Sequence, residues 1–285
     1  MTSIDAHHHL WDLSRRAQTW LDASPLHPIR RDFTVADLTA AVAGSDIDRT
    51  VLVQVLADID ETREFLELAD GCALTAAVVG WAELTSPRVA EDLEHLRAGR
   101  GGHLLAGIRH LVQAEQDPEW LTRPEVVSGL KAVAAQGLAY DLLVLPHHLP
   151  AAVAAVRAVP ELTFVLDHLA KPPIASGRLE PWAGMVAELA AEPNVFCKLS
   201  GMVTEADPAS WTVDDLRPYG EVVLDAFGAS RVMFGSDWPV CLVAGEYGTV
   251  VAAARELTAG LSGAEREAVF GGTASFAYRL EGRER

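Results

Sequence analysis

The chain has 285 residues, of which 49% are hydrophobic and 22% are charged, a composition typical of a globular protein with a large core. Its 40 Asp and Glu residues outnumber its 23 Lys and Arg residues, and the net charge of −17 repels nucleic acid phosphates and anionic membrane surfaces. We therefore expect neither nucleic acid nor a membrane as a partner. The sequence leaves open whether the protein forms a homo-oligomer.

The sequence also indicates a reducing compartment. The chain contains no apolar run long enough to span a membrane, and its first residues lack the features of a signal peptide. Its cysteines, Cys72, Cys197 and Cys241, are too few and too widely spaced for a disulfide framework. We expect a cytoplasmic protein.

The first predicted strand lies within residues 4–12, which read IDAHHHLWD. Alternate side chains of a strand share a face, so His7 and His9 are expected to point into one site and His8 away from it. Such a pair suits zinc or a similar divalent ion, or two hydrogen bonds to a bound oxygen. A remnant of a purification tag is the alternative, but the triplet runs directly into an apolar, aromatic pair.

The rest of the chain alternates short apolar strands with helical segments. A long loop, residues 11–32, precedes the first predicted helix at 34–44. The other predicted strands are 50–55, 75–81, 104–109, 139–144, 162–167, 194–199 and 231–234. The other predicted helices are 60–69, 86–97, 123–135, 149–158, 181–191, 214–227 and a helical region at 247–278.

Eight βα units in a chain of this length predict a (β/α)8 TIM barrel, an α/β fold, in a single domain over residues 1–285. An open doubly wound sheet is the alternative. It is disfavoured because no GxGxxG follows the first strand and no GxxxxGK[ST] occurs in the sequence.

Polar residues cluster where the predicted strands end, which is the end of a barrel that carries the active site. Imidazoles are poorly buried without partners, yet six of the 10 histidines fall at these ends: His7, His9, His110, His147, His148 and His168. The further candidates are Gln54, Trp81, Arg109, Lys171, Asp237 and Trp238.

These candidates also have structural interpretations. Gln54 would satisfy nearby backbone groups, His148 would cap a helix, and Lys171 would be a solvated loop charge. Arg109 would form an ion pair with Asp141 or Glu83. Lys198, if buried, needs a carboxylate partner and would then be structural.

Six segments in the same order resemble the amidohydrolase superfamily. They are IDAHHHLWD (4–12), GIRHLVQ (107–113), YDLLVLPHHL (140–149), VLDHLAKP (165–172), VFCKLSGMVTEAD (195–207) and MFGSDWPVC (233–241). Within the superfamily they resemble the amidohydrolase 2 branch, which contains sugar-acid lactonases such as L-fuconolactonase and L-rhamnonolactonase.

The resemblance implies a set of metal ligands made of His7, His9, His168 and Asp237, for one divalent ion with zinc expected. Binuclear members carry a bridging lysine after strand four, where this chain has Arg109, which argues against two metals. Some relatives open lactones without a metal, so the need for an ion stays open. The usual C-terminal Asn-Ala pair here reads Thr273-Ala274, a change we expect to be structural.

Lactone hydrolysis needs an activated water, a group that stabilises charge on the carbonyl oxygen, and contacts to the ring. We expect Asp237 to be the general base, His168 to act on the carbonyl directly or through an ion, and Arg109 to anchor the substrate. Substrate contacts are expected from Gln54, Trp81, His148, Lys171 and Trp238, although the tryptophans would equally pack at the barrel rim.

Three alternative functions are consistent with this interpretation. The first is hydrolysis of a sugar-acid (aldonic acid) lactone. The second is a pyrone or muconolactone dicarboxylate lactonase, or a metal-dependent decarboxylase of aromatic acids; a dicarboxylate would want a second arginine, and Arg123 is the nearby candidate in sequence. The third is a barrel that binds a metal or sugar acid without turnover, against which the presence of Asp237 counts.

Overall fold

The sheet is built from eight parallel strands, hydrogen-bonded in chain order. The computed structural model describes residues 2–281. The strands are β1 Ile4–His8, β2 Arg49–Val53, β3 Thr75–Gly80, β4 Leu105–His110, β5 Ala139–Leu142, β6 Thr163–Leu166, β7 Val195–Leu199 and β8 Val232–Phe234. The first and last strand ends meet, because the His9 amide donates to Trp238 O (2.7 Å) and the Asp237 amide to His7 O (2.8 Å). The nearly closed (β/α)8 barrel is therefore confirmed.

Helices follow the strands and surround the barrel. They are α1 Val35–Val42, α2 Ile59–Asp70, α3 Val89–Ala98, α4 Pro124–Ala135, α5 Leu149–Ala158, α6 Trp182–Ala190, α7 Met202–Glu205, α8 Val213–Phe227, α9 Tyr247–Leu257, α10 Gly263–Glu267 and α11 Thr273–Ala277. The start of α1 is as predicted, with a capping box between Thr34 and Asp37. Among residues 2–281, no helix is long and apolar enough to cross a membrane.

The apolar residues form two cores on opposite sides of the strands. Small and medium side chains such as Ala6, Val51 and Val165 fill the barrel interior, which Tyr278 of the C-terminal region closes. A larger core, which includes Leu52 and Ile108, lies between the strands and the helices. Strands buried on both faces are near-continuous apolar runs, so the few polar residues at their ends are the ones placed for chemistry.

Several strands end earlier than predicted, for reasons that lie outside the strands themselves. β2 stops at Val53 because a buried carboxylate oxygen of Glu61, in α2, accepts the amides of Val55 (2.8 Å) and Leu56 (2.9 Å). β6 stops at Leu166 because the chain then enters a left-handed turn. The loop at 11–32 contains two short 3-10 turns, Thr19–Asp22 and Ser24–Ile29.

Candidate active site

The two expected histidines of β1 meet at the carboxyl end of the barrel. The Nε2 atoms of His7 and His9 are 3.1 Å apart, and both side chains are buried. His8 lies outside this pair, and burial lowers its pKa to about 3. The pairing of β1 with β2 shifts register between Asp5 and His8. Ala6, within this irregular segment, still belongs to the apolar core inside the barrel.

His168 is presented by a turn of unusual backbone conformation. His168, Leu169, Ala170 and Lys171 all have positive φ, between 52° and 59°, and the Lys171 amide closes the turn on His168 O (2.7 Å). The imidazole packs against Gly201, where a Cβ atom would lie 2.6 Å from His168 Nδ1. Only glycine allows this approach, and Ser200 Oγ lies 2.8 Å from the same nitrogen.

Asp237, after β8, brings a carboxylate oxygen to the histidines. Its Oδ1 lies 3.4 Å from His9 Nε2, 3.6 Å from His7 Nε2 and 3.8 Å from His168 Nε2. Burial raises the pKa of Asp237, but His168, His9 and His7 together outweigh it and hold that pKa well below the ordinary value. Burial also lowers the pKa of His168 to about 4, against the opposing effect of Asp237. The site thus pairs the ionised carboxylate of Asp237 with a neutral His168 imidazole near pH 7.

The same groups fit a divalent ion. One ligand atom from each of His7, His168 and Asp237 lies within 4.8 Å of the others, and all three residues are buried. His9 Nδ1 donates to Val53 O (2.8 Å), and His168 Nδ1 can donate to Ser200 Oγ, so each keeps an Nε2 lone pair free for a metal. Nitrogen and oxygen donors in this number suit one ion such as zinc.

A second ion is disfavoured by a fixed positive charge. Arg109 projects from β4 with Nη1 only 3.4 Å from His7 Nε2, and its guanidinium is always protonated. This charge disfavours a two-metal centre beside His7.

A layer of charged groups lies directly beneath the histidines. Lys198 Nζ is 2.6 Å from Asp141 Oδ2 and 2.9 Å from Asp167 Oδ1, so the expected carboxylate partners exist. Arg109 pairs with Asp167 (2.9 Å), and not with Asp141 or Glu83 as the structural interpretation had it. Two buried cations thus face two buried carboxylates, which limits the cost of burying each of them.

The carboxyl groups of this layer differ in proton affinity. Burial raises the pKa of Asp141 to about 6, although Lys198 opposes the effect. Burial also raises the pKa of Asp167, but Lys198, His7 and Arg109 outweigh it and hold that pKa well below the ordinary value. Asp167 therefore stays ionised to lower pH than Asp141 does.

Gln54 and Arg109 are bound to each other rather than free in the site. Gln54 Nε2 donates to Arg109 O (3.1 Å), and Arg109 Nη2 donates to Gln54 O. The backbone role considered for Gln54 is present, and a substrate contact of either residue stays a prediction.

The remaining substrate candidates lie on the rim or in the core. Trp81 Nε1 donates to His110 Nδ1 (3.1 Å), and Lys171 forms an ion pair with Glu205 (3.3 Å). His148 Nδ1 accepts the Leu145 amide, and its buried Nε2 has no hydrogen-bond partner among residues 2–281. Trp238 is 2% exposed, and its ring packs 5.2 Å from that of Phe33.

His110, one of the six histidines expected at strand ends, is fixed by Glu115, at 2.7 Å, and stacks on Trp120. The role of Asp5 in the site was not predicted. Asp5 accepts the amides of His7 and Ser236 and so joins the ends of β1 and β8. Strict alternation would place Asp5 on the face of His7 and His9, and the register shift in β1 cannot be read from the sequence.

A family model described as Amidohydrolase matches residues 4–280. The chain belongs to this amidohydrolase family.

Within the family, two curated relatives share a name. This chain is 43% identical to an L-fucono-1,5-lactonase of Burkholderia ambifaria, over 98% of this chain and 96% of that protein. It is 38% identical to an L-fucono-1,5-lactonase of Burkholderia multivorans, over 97% and 96%. A crystal structure of a Burkholderia multivorans amidohydrolase with bound zinc has a TM-score of 0.91 at 36% identity, and the match covers 98% of this chain and 100% of that one.

Proposed function

We propose that this protein hydrolyses L-fucono-1,5-lactone or a closely similar sugar-acid lactone to the open hydroxy acid. The observation that carries the proposal is Asp237 Oδ1, which lies within 3.8 Å of three imidazole nitrogens at the carboxyl end of the barrel. The two L-fucono-1,5-lactonases, similar along nearly the whole chain, support the substrate class.

In the proposed reaction, Asp237 accepts a proton from the water that attacks the lactone carbonyl carbon. The ring C–O bond then breaks, and the proton passes from Asp237 to the departing ring oxygen. An aspartate with a pKa below its ordinary value is a weak base, so a reactive carbonyl is required. A lactone fits this requirement better than an amide does.

A charge-stabilising group must face the carbonyl oxygen as negative charge develops there. His168 and Arg109 are proposed for this role, with Arg109 held by Asp167 at a fixed position beside His7. One divalent ion, proposed to be zinc, would be held by His7, His9, His168 and Asp237 and would polarise the carbonyl as a Lewis acid. The zinc-bound relative supports this part of the proposal.

The hydroxyl groups of the sugar acid are proposed to contact Gln54, His148 and Lys171. His148 is proposed to act through Nε2, since its Nδ1 accepts a backbone amide. Trp81 and Trp238 are proposed to shape the apolar wall. Trp238 is proposed to act through packing, since it is buried against Phe33.

The candidate second arginine for a dicarboxylate, Arg123, already has a carboxylate partner. Arg123 is half-exposed and bound to Asp117, with Nη2 2.7 Å from the carboxylate. Its charge is thus already paired, and no other observation favours a dicarboxylate substrate.

The test is a pH-indicator assay on L-fucono-1,5-lactone, an L-rhamnonolactone and 2-pyrone-4,6-dicarboxylate, with and without prior chelator treatment. We expect the fastest enzyme-dependent acid release from L-fucono-1,5-lactone and a strongly reduced rate with Asp237→Asn. Turnover of the dicarboxylate alone, or of no lactone at all, would refute the proposed substrate class.

A further inference from the structure

Trp81 follows β3 at the carboxyl end of the barrel, and the alternation of the strand sets the direction of its side chain. Val79 belongs to the apolar core inside the barrel, whereas a Cβ atom on Gly80 would clash with Thr62 of α2 on the outside. Thr62 Oγ1 also accepts the Trp81 amide (2.7 Å), which fixes the backbone at the strand end. Since successive side chains point to opposite faces, the indole of Trp81 returns to the side of the barrel interior, where the candidate active site lies.

The indole N–H of Trp81 is held by His110, at the end of β4. Trp81 Nε1 donates to His110 Nδ1 (3.1 Å), and an indole nitrogen can only donate. A His110 ring that accepts at Nδ1 carries its proton on Nε2, and Glu115 Oε1 lies 2.7 Å from that nitrogen and can accept the proton. One tautomer of His110 therefore matches every donor to an acceptor along Trp81, His110 and Glu115.

The plane of the His110 ring is fixed as well. The ring stacks on that of Trp120, with centroids 4.3 Å apart and an angle of 9° between the planes. Trp120 is itself 3% exposed, so the stack is anchored in the core. The lone pair of Nδ1 lies in the plane of the imidazole, and a fixed plane therefore also fixes the direction from which Trp81 donates.

We propose that His110 is a positioning residue, which holds the Trp81 indole as a wall against the ring of the bound lactone. This inference rests on the proposed function and adds to it, since His110 acts on the substrate only through Trp81. A flat indole packs against the C–H face of a sugar ring, and that contact needs the indole in one orientation. An indole released from His110 would bind the ring less well, while Asp237 and the proton transfer would be unaffected.

The first experiment examines the hydrogen bond itself and needs no lactone. Tryptophan labelled with ¹⁵N gives one indole N–H resonance for each of the seven tryptophans, and that of Trp81 is assigned by its loss in Trp81→Phe. We expect His110→Leu, which has no acceptor, to move the Trp81 resonance upfield. His110→Asn should keep it near the wild-type position, because Asn Oδ1 can accept in place of Nδ1. An unchanged Trp81 resonance in His110→Leu would overturn the proposal.

The second experiment measures the kinetics of the same variants on L-fucono-1,5-lactone. We expect His110→Leu to raise KM by about 3- to 10-fold, the size of one aromatic contact, with kcat unchanged. His110→Asn should restore most of the lost binding. His95→Leu, at an exposed histidine of α3, is the matched control and should keep the wild-type KM. A lower kcat with unchanged KM in His110→Leu would contradict the proposal.

A double variant shows whether His110 acts through Trp81. Phenylalanine has no N–H, so in the Trp81→Phe protein the further change His110→Leu should have no additional effect on KM. A full additional rise in KM would overturn the proposal.

Failure of this inference can be distinguished from failure of the proposed function. A wild type that hydrolyses no lactone would overturn both the proposed function and the lactone contact. An active wild type whose KM is unchanged in a folded His110→Leu protein would overturn only the role of His110. If the His110 variants do not fold, the wild type labelled with ¹⁵N in histidine and tryptophan decides, because a proton on His110 Nδ1 would contradict the proposal.

Discussion

A buried glutamate outside the chemical site offers a quantitative test of the structure. Glu61 of α2 is 2% exposed, and burial raises its pKa from 4.5 to about 7 although the amides of Leu56 and Val55 oppose the effect. The folded protein thus binds this proton more tightly than the unfolded chain does. Stability should therefore fall as pH rises from about 4.5 to about 7 and level off above that range.

The substitution Glu61→Gln isolates the contribution. One pKa unit corresponds to about 1.4 kcal/mol. The span from 4.5 to about 7 then corresponds to a penalty of about 3 kcal/mol at pH 8. Gln keeps an oxygen that can accept the amides of Val55 and Leu56, so the variant should be more stable than the wild type by that amount at pH 8 and about equal to it at pH 4.

Urea denaturation of both proteins at several pH values measures this difference. The wild type alone is not decisive, because burial also raises the pKa values of Asp5 and Asp141 to about 6. The matched control is Glu67→Gln on the exposed face of the same helix, for which we expect no comparable pH-dependent gain. If the difference between Glu61→Gln and the wild type did not change with pH, the proposed cost of the buried charge would be refuted.

Three further predictions concern the site. Asp237→Asn should lower kcat by at least about 100-fold on the best lactone, since the proton acceptor is lost, with unchanged thermal stability showing that the effect is not unfolding. Gly201→Ala should lower kcat/KM by about 10- to 100-fold, because the new Cβ would displace His168, whereas Gly177→Ala, also at positive φ but with nothing within 4 Å, should keep full activity. The rate of enzyme-dependent hydrolysis should not fall between pH 7 and pH 5 because of protonation of Asp237, since the pKa of Asp237 lies well below its ordinary value. A rate that halves near pH 6 in both the wild type and Glu61→Gln would contradict this.

The sequence predicts the barrel well because its strands are buried on both faces. Each of the eight strands begins within about two residues of its predicted position, and His7, His9, His168 and Asp237 converge as expected. Apolar runs and the position of strand ends are local properties, so a single sequence carries them.

Contacts across the barrel interior are much harder to predict. Lys198 of β7 reaches Asp141 of β5 and Asp167 after β6, and Arg109 of β4 shares Asp167 rather than its near neighbours. Such pairs depend on the stagger and tilt of the strands, which no local pattern specifies. The early end of β2 has a similar cause, since a carboxylate six residues away captures the amide of Val55.

An unusual backbone conformation brings the imidazole of His168 and the carboxylate of Asp237, which follow separate strands, to one site. His168 and Asp237 both have positive φ, which costs an L-residue roughly 1–2 kcal/mol, and Leu169 and Ala170 share the conformation. Surrounding bonds hold these residues there: Trp182 Nε1 donates to Leu169 O (2.7 Å), and the Asp237 amide donates to His7 O (2.8 Å). Leu169 and Ala170 are also fully buried, so packing offsets part of the cost. No glycine occurs in the segment HLAK (168–171), so the local sequence does not predict this turn. The position of His168 is explained instead by the packing of α6 and of the end of β7 around the turn.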